Sequence, residues 1–370
     1  MELFFSYYSV LFVSDTLANT TFSLALFKKL SDDNQTTNIF FSPFSISSAM
    51  AMVMLGARGN TAIQMSENRV PAEYSHGIAG WAGFDLNGKY GEKSYTFKED
   101  FLKQSRMHYN AELESVDFKN MCEQFRVKIN SWVEKQTKGE PHSIIFNNIG
   151  MQILLSTGKK YASHHCISSL SKSASLVCLQ TDTKPGMTMK KTTYFPLAFI
   201  PEVNCKFLEM PYKGKKLSML IFLPEVIEDD TTGLEKLEKQ PTYETFVEWT
   251  HPDRMKNIEI EVSLPRFTME ETYDLEEILT SMGMVDAFDV TKSNFSGMSE
   301  TKDLVLSKVT HKAFVEVNEE GTEAAAGSGS YILAMCARLY PRFTADHLFL
   351  FFIRHNSSMS ILFAGRFCSP

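Results

Sequence analysis

Two apolar segments at the end of the chain restrict the fold more than any other feature of the sequence. They are Leu348–Arg354 and Ser360–Phe367, and the turn residues Asn356-Ser357-Ser358 lie between them. Short segments rich in Phe, Leu and Ile between polar turns indicate β-strands. Earlier segments carry the same signal, namely Leu217–Leu223 and the alternating residues of Ile258–Leu264. The second half of the chain is therefore predicted to be mainly β.

Periodic apolar residues predict helices elsewhere. In Thr16–Leu30 the apolar residues recur at every fourth position, which is typical of an amphipathic helix. Phe44–Leu55 is apolar nearly all round, and the preceding Ser42 and Pro43 supply an N-cap and a proline at the first helical position. Leu275–Met282 inserts a further helix among the strands. The predicted class is α+β, with large antiparallel or mixed sheets.

The composition is that of an ordinary folded protein. Of 370 residues, 44% are hydrophobic and 22% are charged, which excludes wholesale disorder. A net charge of -7 lacks the basic footprint of a protein that binds nucleic acid, so we expect no nucleic-acid partner. No repeat and no linker-like change of composition divides the chain. We therefore expect a single domain over residues 1–370.

The cysteines and the apolar segments bear on compartment and on metal binding. The 6 cysteines include no CxxC pair, so neither a zinc module nor a disulfide framework is indicated and a reducing compartment is expected. The apolar start carries Glu2 but no nearby Lys or Arg, unlike a cleavable signal peptide. The longest later apolar run, Leu348–Ile353, is too short to span a membrane. The cluster His164-His165-Cys166 could meet Cys178, but adjacent histidines rarely point at one site, so no metal is predicted.

A long segment after the predicted strand His311–Val317 has no clear element. It begins at Glu319, contains a run of Ala, Gly and Ser residues, and ends in the apolar tip Tyr331–Cys336. Loops of this length in a compact domain are usually functional or disordered. One interpretation is a flexible linker. The other is a strand held in reserve, because small side chains share one side of it: Thr322, Ala324, Ala326 and Ser328.

Three long motifs resemble one known family. They are NIFFSPFSISSAMAMVMLGARGNTA (Asn38–Ala62), HKAFVEVNEEGTEAAAG (His311–Gly327) and FTADHLFLFFIRHNSSMSILFAGRFCSP (Phe343–Pro370). They closely resemble the serpins, and within them the ovalbumin-like clade B branch. Tyr90–Phe97 and Cys205–Glu225 extend the likeness over most of the chain. The resemblance implies the serpin fold, an α+β domain with three β-sheets, about eight or nine helices and an exposed reactive-centre loop at about residues 319–343.

The resemblance also implies an activity. A serpin acts as a suicide substrate: the protease cleaves the loop, an acyl ester forms, and the freed loop inserts into the central sheet as a new strand. Counting from the hinge places the scissile bond at Met335–Cys336, which suits serine proteases with elastase-like or chymotrypsin-like pockets. Arg338 leaves a trypsin-like target as a secondary alternative. The family further implies papain-like cysteine proteases as additional targets, a monomer, no cofactor, and cytoplasmic residence with release to the extracellular space.

Individual residues match the family's functional positions. Ser42, Ser45 and His311 match the polar cluster beneath the point where the central sheet opens, where hydrogen bonds must break and reform as the loop enters. The matching loop hinge comprises Glu319, Glu320, Gly321, Thr322, Glu323, Ala324, Ala325 and Ala326. No catalytic residue is expected, because the sequence has no GxSxG, HExxH or nucleotide-binding motif.

Two departures from the family pattern favour an alternative to protease inhibition. Between Thr61 and Tyr90 the chain is about 25 residues shorter than the family pattern. The stretch Asn147–Pro185 lacks the family's third central strand, its Asn and the following Phe-Lys-Gly-Xaa-Trp motif, and we assign it no element. Losing one wall of the insertion gap would leave buried polar groups unpaired. The alternative is a non-inhibitory or defective serpin with a binding, storage or chaperone role.

Overall fold

The helices form where caps and apolar periodicity favour them. The computed structural model describes residues 2–33, 36–68, 88–109, 113–117, 120–121, 124, 127–128, 131, 153–156, 171–179, 182–225, 234–301, 303–307, 309–318 and 340–369. The helices bounded within these residues are α1 Glu2–Asp33, α2 Pro43–Gly56, α3 Gly59–Glu67, α4 Glu99–Tyr109, α5 Glu235–Lys239, α6 Tyr243–Trp249 and α7 Glu276–Ser281. No helix in this part of the chain is long and apolar enough to cross a membrane.

The strands fall mainly in the second half. In chain order they are β1 Ile39–Phe41, β2 Gly88–Glu92, β3 Leu113–Val116, β4 Ile153–Ser156, β5 Ser171–Leu179, β6 Asp182–Ile200, β7 Cys205–Pro211, β8 Leu217–Pro224, β9 Lys256–Pro265, β10 Phe267–Asp274, β11 Thr310–Val317, β12 Arg342–Thr344, β13 Phe349–His355 and β14 Ile361–Phe367. They pair into three sheets in the described part of the chain. The largest has the order β1-β14-β13-β8-β7-β6-β9-β12, with β5 also paired to β6; the others are β10-β11 and β3-β2-β4.

The large sheet separates two hydrophobic clusters. Alternate residues of β13 point to opposite faces, so that Phe352 belongs to one cluster and Phe351 to the other. Helices α1 and α2 cover the Phe352 side, where Phe22 and Phe44 are almost completely buried. On the opposite side, Phe40 and Phe351 stack with ring centroids 5.9 Å apart. Each face of the large sheet is thus covered by its own hydrophobic cluster.

Gly365 lies where this stacking leaves no room for a side chain. It is directly opposite Phe40 on β1 and Phe351 on β13. A Cβ at this position would lie 2.5 Å from Cζ of Phe351 and 3.0 Å from the carbonyl oxygen of Ile39. The close approach of three strands therefore requires glycine here.

Several predicted elements match the structure closely. Helix α2 starts at Pro43 with Ser42 as N-cap, and β13 and β14 have nearly the predicted bounds. Helix α1 begins at Glu2, well before the predicted start at Thr16. The stretch Asn147–Pro185, to which no element was assigned, contains β4, β5 and the first residues of β6. Its Ser-rich strand β5 carries a weak apolar signal, and pairing with β6 supplies the order that local sequence does not.

Candidate functional site

The N-terminus of α2 holds two of the predicted cluster residues. Ser42 has an extended backbone, with φ -106 and ψ 97, and its Oγ accepts a hydrogen bond from the backbone N–H of Ser45 at 3.2 Å. The same oxygen lies 2.8 Å from the carbonyl oxygen of Leu362 on β14 and 3.0 Å from Oγ of Ser45. A hydroxyl has one proton, so Ser42 donates to only one of these acceptors at a time. The hydroxyl proton of Ser42 can therefore switch between the Leu362 carbonyl oxygen and the Ser45 hydroxyl oxygen.

His311 joins this cap from β11. Its Nε2 accepts a hydrogen bond from the backbone N–H of Ser42 at 2.9 Å. The imidazole is buried, and burial lowers the pKa of His311 to about 4. An accepting Nε2 requires a neutral ring with its proton on Nδ1. The structure thus brings Ser42, Ser45 and His311 together.

Tyr273 is a fourth member of the cluster, which the sequence analysis missed. It lies on β10 directly opposite His311, and its hydroxyl oxygen accepts a hydrogen bond from the backbone N–H of Phe40 at 3.1 Å. Burial raises the pKa of the Tyr273 phenol well above its usual range. No local sequence signal separates this tyrosine from other residues of an alternating strand. Only the pairing of β10 with β11 places it beside His311.

The side chains of Tyr273 and His311 share one structural task. Strand β1 pairs with β14 along one edge, which leaves its other edge facing β10 and β11. On that edge the N–H groups of Phe40 and Ser42, two residues apart, donate to Tyr273 and His311 respectively. Buried backbone donors without partners are costly. The β10–β11 pair is therefore fastened to the large sheet by side-chain acceptors that must be released if the strands are to separate.

The predicted loop follows the strand that carries His311. Strand β11 ends at Val317, and the described chain resumes with β12, which pairs in parallel with β9. The hinge residues Glu319–Ala326 and the predicted scissile pair Met335 and Cys336 lie outside the described residues. The cluster at His311 is thus on the strand that leads directly into the hinge.

No group of three His, Cys, Asp or Glu side chains in the described segments has the arrangement of a metal site. The predicted cluster His164-His165-Cys166 lies outside those segments.

Comparisons with known proteins identify the family of this fold. A family model for "Serpin (serine protease inhibitor)" matches residues 17–70 and 86–370, so the chain belongs to the serpin family. Human leukocyte elastase inhibitor is 44% identical over 375 residues, covering 95% of this chain and 98% of the relative. This similarity supports the ovalbumin-like clade B assignment.

Solved structures agree with the family assignment. A crystal structure of maspin superposes with a TM-score of 0.87 at 31% identity and covers 97% of this chain and 100% of maspin. Uncleaved ovalbumin gives a TM-score of 0.83 at 29% identity, with 96% and 99% of the two chains covered. The serpin fold predicted from the three motifs is therefore confirmed.

We expect Tyr273→Phe to lower the free energy of unfolding by about 1–3 kcal/mol, because the buried N–H of Phe40 loses its acceptor. Urea unfolding followed by circular dichroism measures this loss. Tyr95→Phe is the matched control, since the Tyr95 hydroxyl donates to Asp303 at an exposed position and solvent can replace the bond. Equal stabilities of the two variants would show that the Tyr273 hydroxyl does not hold β1.

Proposed function

We propose that this chain inhibits serine proteases of elastase-like or chymotrypsin-like specificity by suicide-substrate loop insertion. The protease serine attacks the carbonyl carbon of Met335, the peptide bond to Cys336 breaks, and the Cys336 amine leaves with a proton. The protease then remains attached through an ester to the Met335 carbonyl. A medium-sized apolar side chain such as Met335 suits the proposed pockets.

The observation that carries this proposal is the hydrogen-bonded cluster of Ser42, Ser45, His311 and Tyr273 at the base of the strand that leads into the hinge. A loop that folds back from β11 through a hinge runs antiparallel to β11. Its small residues, such as Thr322 and Ala324, would enter the opening sheet with little steric cost. The relatives named leukocyte elastase inhibitor support the same activity.

The test is an assay for a stable adduct. Incubation with leukocyte elastase or chymotrypsin is expected to give a complex that survives SDS, together with a released peptide whose N-terminal residue is Cys336. Incubation with papain tests in the same way whether cysteine proteases are also inhibited. Thr322→Arg is the matched variant. Its loop should still be cleaved, but a large charged side chain on the inserting side should block insertion. This variant is therefore expected to yield cleaved protein without adduct.

Cleavage of the unaltered protein without adduct would contradict the proposal. It would favour the alternative of a non-inhibitory serpin, and a thermal melt of the cleaved protein would then show no gain in stability. No observation in the described residues favours that alternative over inhibition.

A further inference from the structure

The buried side of helix α1 changes from polar to apolar along the helix. Its first part carries four buried polar side chains at helical spacing, namely Thr16, Asn19, Thr20 and Ser23. One turn further on, Phe27 and Leu30 continue this side as ordinary core residues. Helix α1 packs against α2 and β14, so the polar part lies inside the protein and away from solvent. Each polar atom there therefore needs a hydrogen-bond partner.

Two of these side chains bind the start of β14 and the turn before it. Oγ1 of Thr16 donates to the carbonyl oxygen of Ser358 at 2.6 Å. Oδ1 of Asn19 accepts a hydrogen bond from the backbone N–H of Ile361 at 3.0 Å. A backbone N–H can only donate, so the Asn19 amide must present its oxygen to Ile361 and not its nitrogen. The Asn19 Nδ2 group is therefore left to find a different partner.

Two polar atoms, one helical turn apart, have no such partner. Nδ2 of Asn19 and Oγ of Ser23 make no hydrogen bond in the described part of the chain, although both residues are completely buried. Ser23 follows Asn19 by four positions, which places the two side chains on the same side of α1, with Cβ atoms about 5–6 Å apart. A buried amide N–H and a buried hydroxyl without partners both disfavour the folded state.

The chemistry of these two atoms indicates what they bind. Nδ2 of Asn19 only donates hydrogen bonds, whereas Oγ of Ser23 both donates and accepts. A molecule between them must accept one hydrogen bond and can donate the other. Water meets this requirement within the available distance, because two hydrogen bonds of about 2.8 Å span up to about 5.6 Å. A cation does not, since the amide presents N–H groups to it.

We propose that Asn19 and Ser23 hold an internal water molecule on the buried side of α1. The water accepts a hydrogen bond from Nδ2 of Asn19 and donates one to Oγ of Ser23. Buried waters typically make two to four hydrogen bonds to polar groups that are otherwise unsatisfied, so two such partners are enough for a site. This inference does not depend on the proposed inhibitory function.

The position of Asn19 gives this water a structural role. Leu362, the residue after Ile361, accepts a hydrogen bond from Oγ of Ser42 at the cap of α2. Asn19 of α1 and Ser42 thus hold consecutive residues of β14. A water that fixes the Asn19 amide keeps its oxygen directed at Ile361. The water therefore helps to hold α1 in place against the strand that Ser42 also binds.

A high-resolution crystal structure tests the site directly. The expected result is a density peak within hydrogen-bonding distance of both Nδ2 of Asn19 and Oγ of Ser23, and Ser23→Ala should remove this peak. The absence of the peak from the unaltered protein would overturn the proposal, and the Ser23 hydroxyl should then bind the carbonyl oxygen of Asn19 instead. A peak that stays in Ser23→Ala would also overturn it, because Ser23 would not be holding the water.

Urea unfolding tests the same site through its effect on stability. Ser66→Ala is the matched control, because Ser66 is exposed on helix α3 and its replacement reports only the higher helix propensity of alanine. We expect Ser23→Ala to lower the equilibrium constant for folding about tenfold relative to Ser66→Ala, since the water loses a partner. If the Ser23 hydroxyl is instead unpaired, its removal relieves an unsatisfied group. Ser23→Ala would then be at least as stable as Ser66→Ala, which would contradict the proposal.

Discussion

Glu238→Gln is expected to lower the free energy of unfolding by about 3–5 kcal/mol, the usual cost of removing one partner from a buried ion pair. Oε1 of Glu238 on α5 is 2.8 Å from Nη1 of Arg366 on β14, and the two side chains are 8% and 0% exposed. Glutamine keeps the shape but removes the charge. The buried Arg366 guanidinium would then lose the counter-charge of Glu238.

The position of this pair explains why the loss should be global. Nε of Arg366 donates to the carbonyl oxygen of Thr37 at 3.0 Å, and Oγ of Ser31 donates to Oε2 of Glu238 at 2.9 Å. The pair therefore links the end of α1, the approach to β1, helix α5 and strand β14. Weakening it loosens the attachment of several elements to the large sheet at once.

Glu235→Gln on the same helix is the matched control. Glu235 pairs with Lys239, but both side chains are about half exposed, so solvent screens the pair and no measurable loss is expected. Urea unfolding curves of the two variants and the unaltered protein measure the difference. A Glu238→Gln protein as stable as Glu235→Gln would contradict the assignment of a structural role to the buried pair.

The parts of the fold that the sequence predicted well are those with strong local signals. Helix α2 was predictable because Ser42 and Pro43 mark its start chemically, and strands β13 and β14 because their apolar residues are bounded by a polar turn. Strand β5 has no comparable signal. Its alternate serines become a strand only because β6 offers a long antiparallel partner.

The residues of the candidate site were also hard to predict from local sequence signals alone. Ser42, Ser45 and His311 were predictable only through family motifs, since their meeting depends on contacts between residues more than 250 positions apart, as with Ser42 and His311. Tyr273 was missed because its role arises from being opposite His311 across a strand pair. Similarly, Arg366 gives no sign in the sequence that it is completely buried and paired with Glu238.

We expect the unaltered protein to lose stability between pH 7.5 and pH 5 more steeply than His311→Gln. Burial holds the pKa of His311 at about 4 in the folded protein, against an ordinary value of 6.5 for an unfolded chain. Between these values the unfolded state binds a proton that the folded state does not. The His311 contribution is therefore fully present above about pH 6.5 and declines as the pH falls towards 4, by about 3 kcal/mol in total.

The glutamine variant isolates this contribution. Its side-chain oxygen can still accept from the N–H of Ser42, but it does not titrate. The nearby Glu271, whose pKa burial raises, is opposite Ala313 on the same strand pair and acts in the other direction. Because Glu271 is present in both proteins, its effect largely cancels when their urea midpoints are compared at each pH. The remaining difference should grow by about 2 kcal/mol between pH 7.5 and pH 5.

The two possible outcomes are distinct. If His311→Gln follows the unaltered protein from pH 7.5 to pH 5, the ring at position 311 is not held neutral by burial. If His311→Gln flattens the curve, protonation of this ring breaks its bond to Ser42 and weakens the attachment of β11, the strand that leads into the hinge.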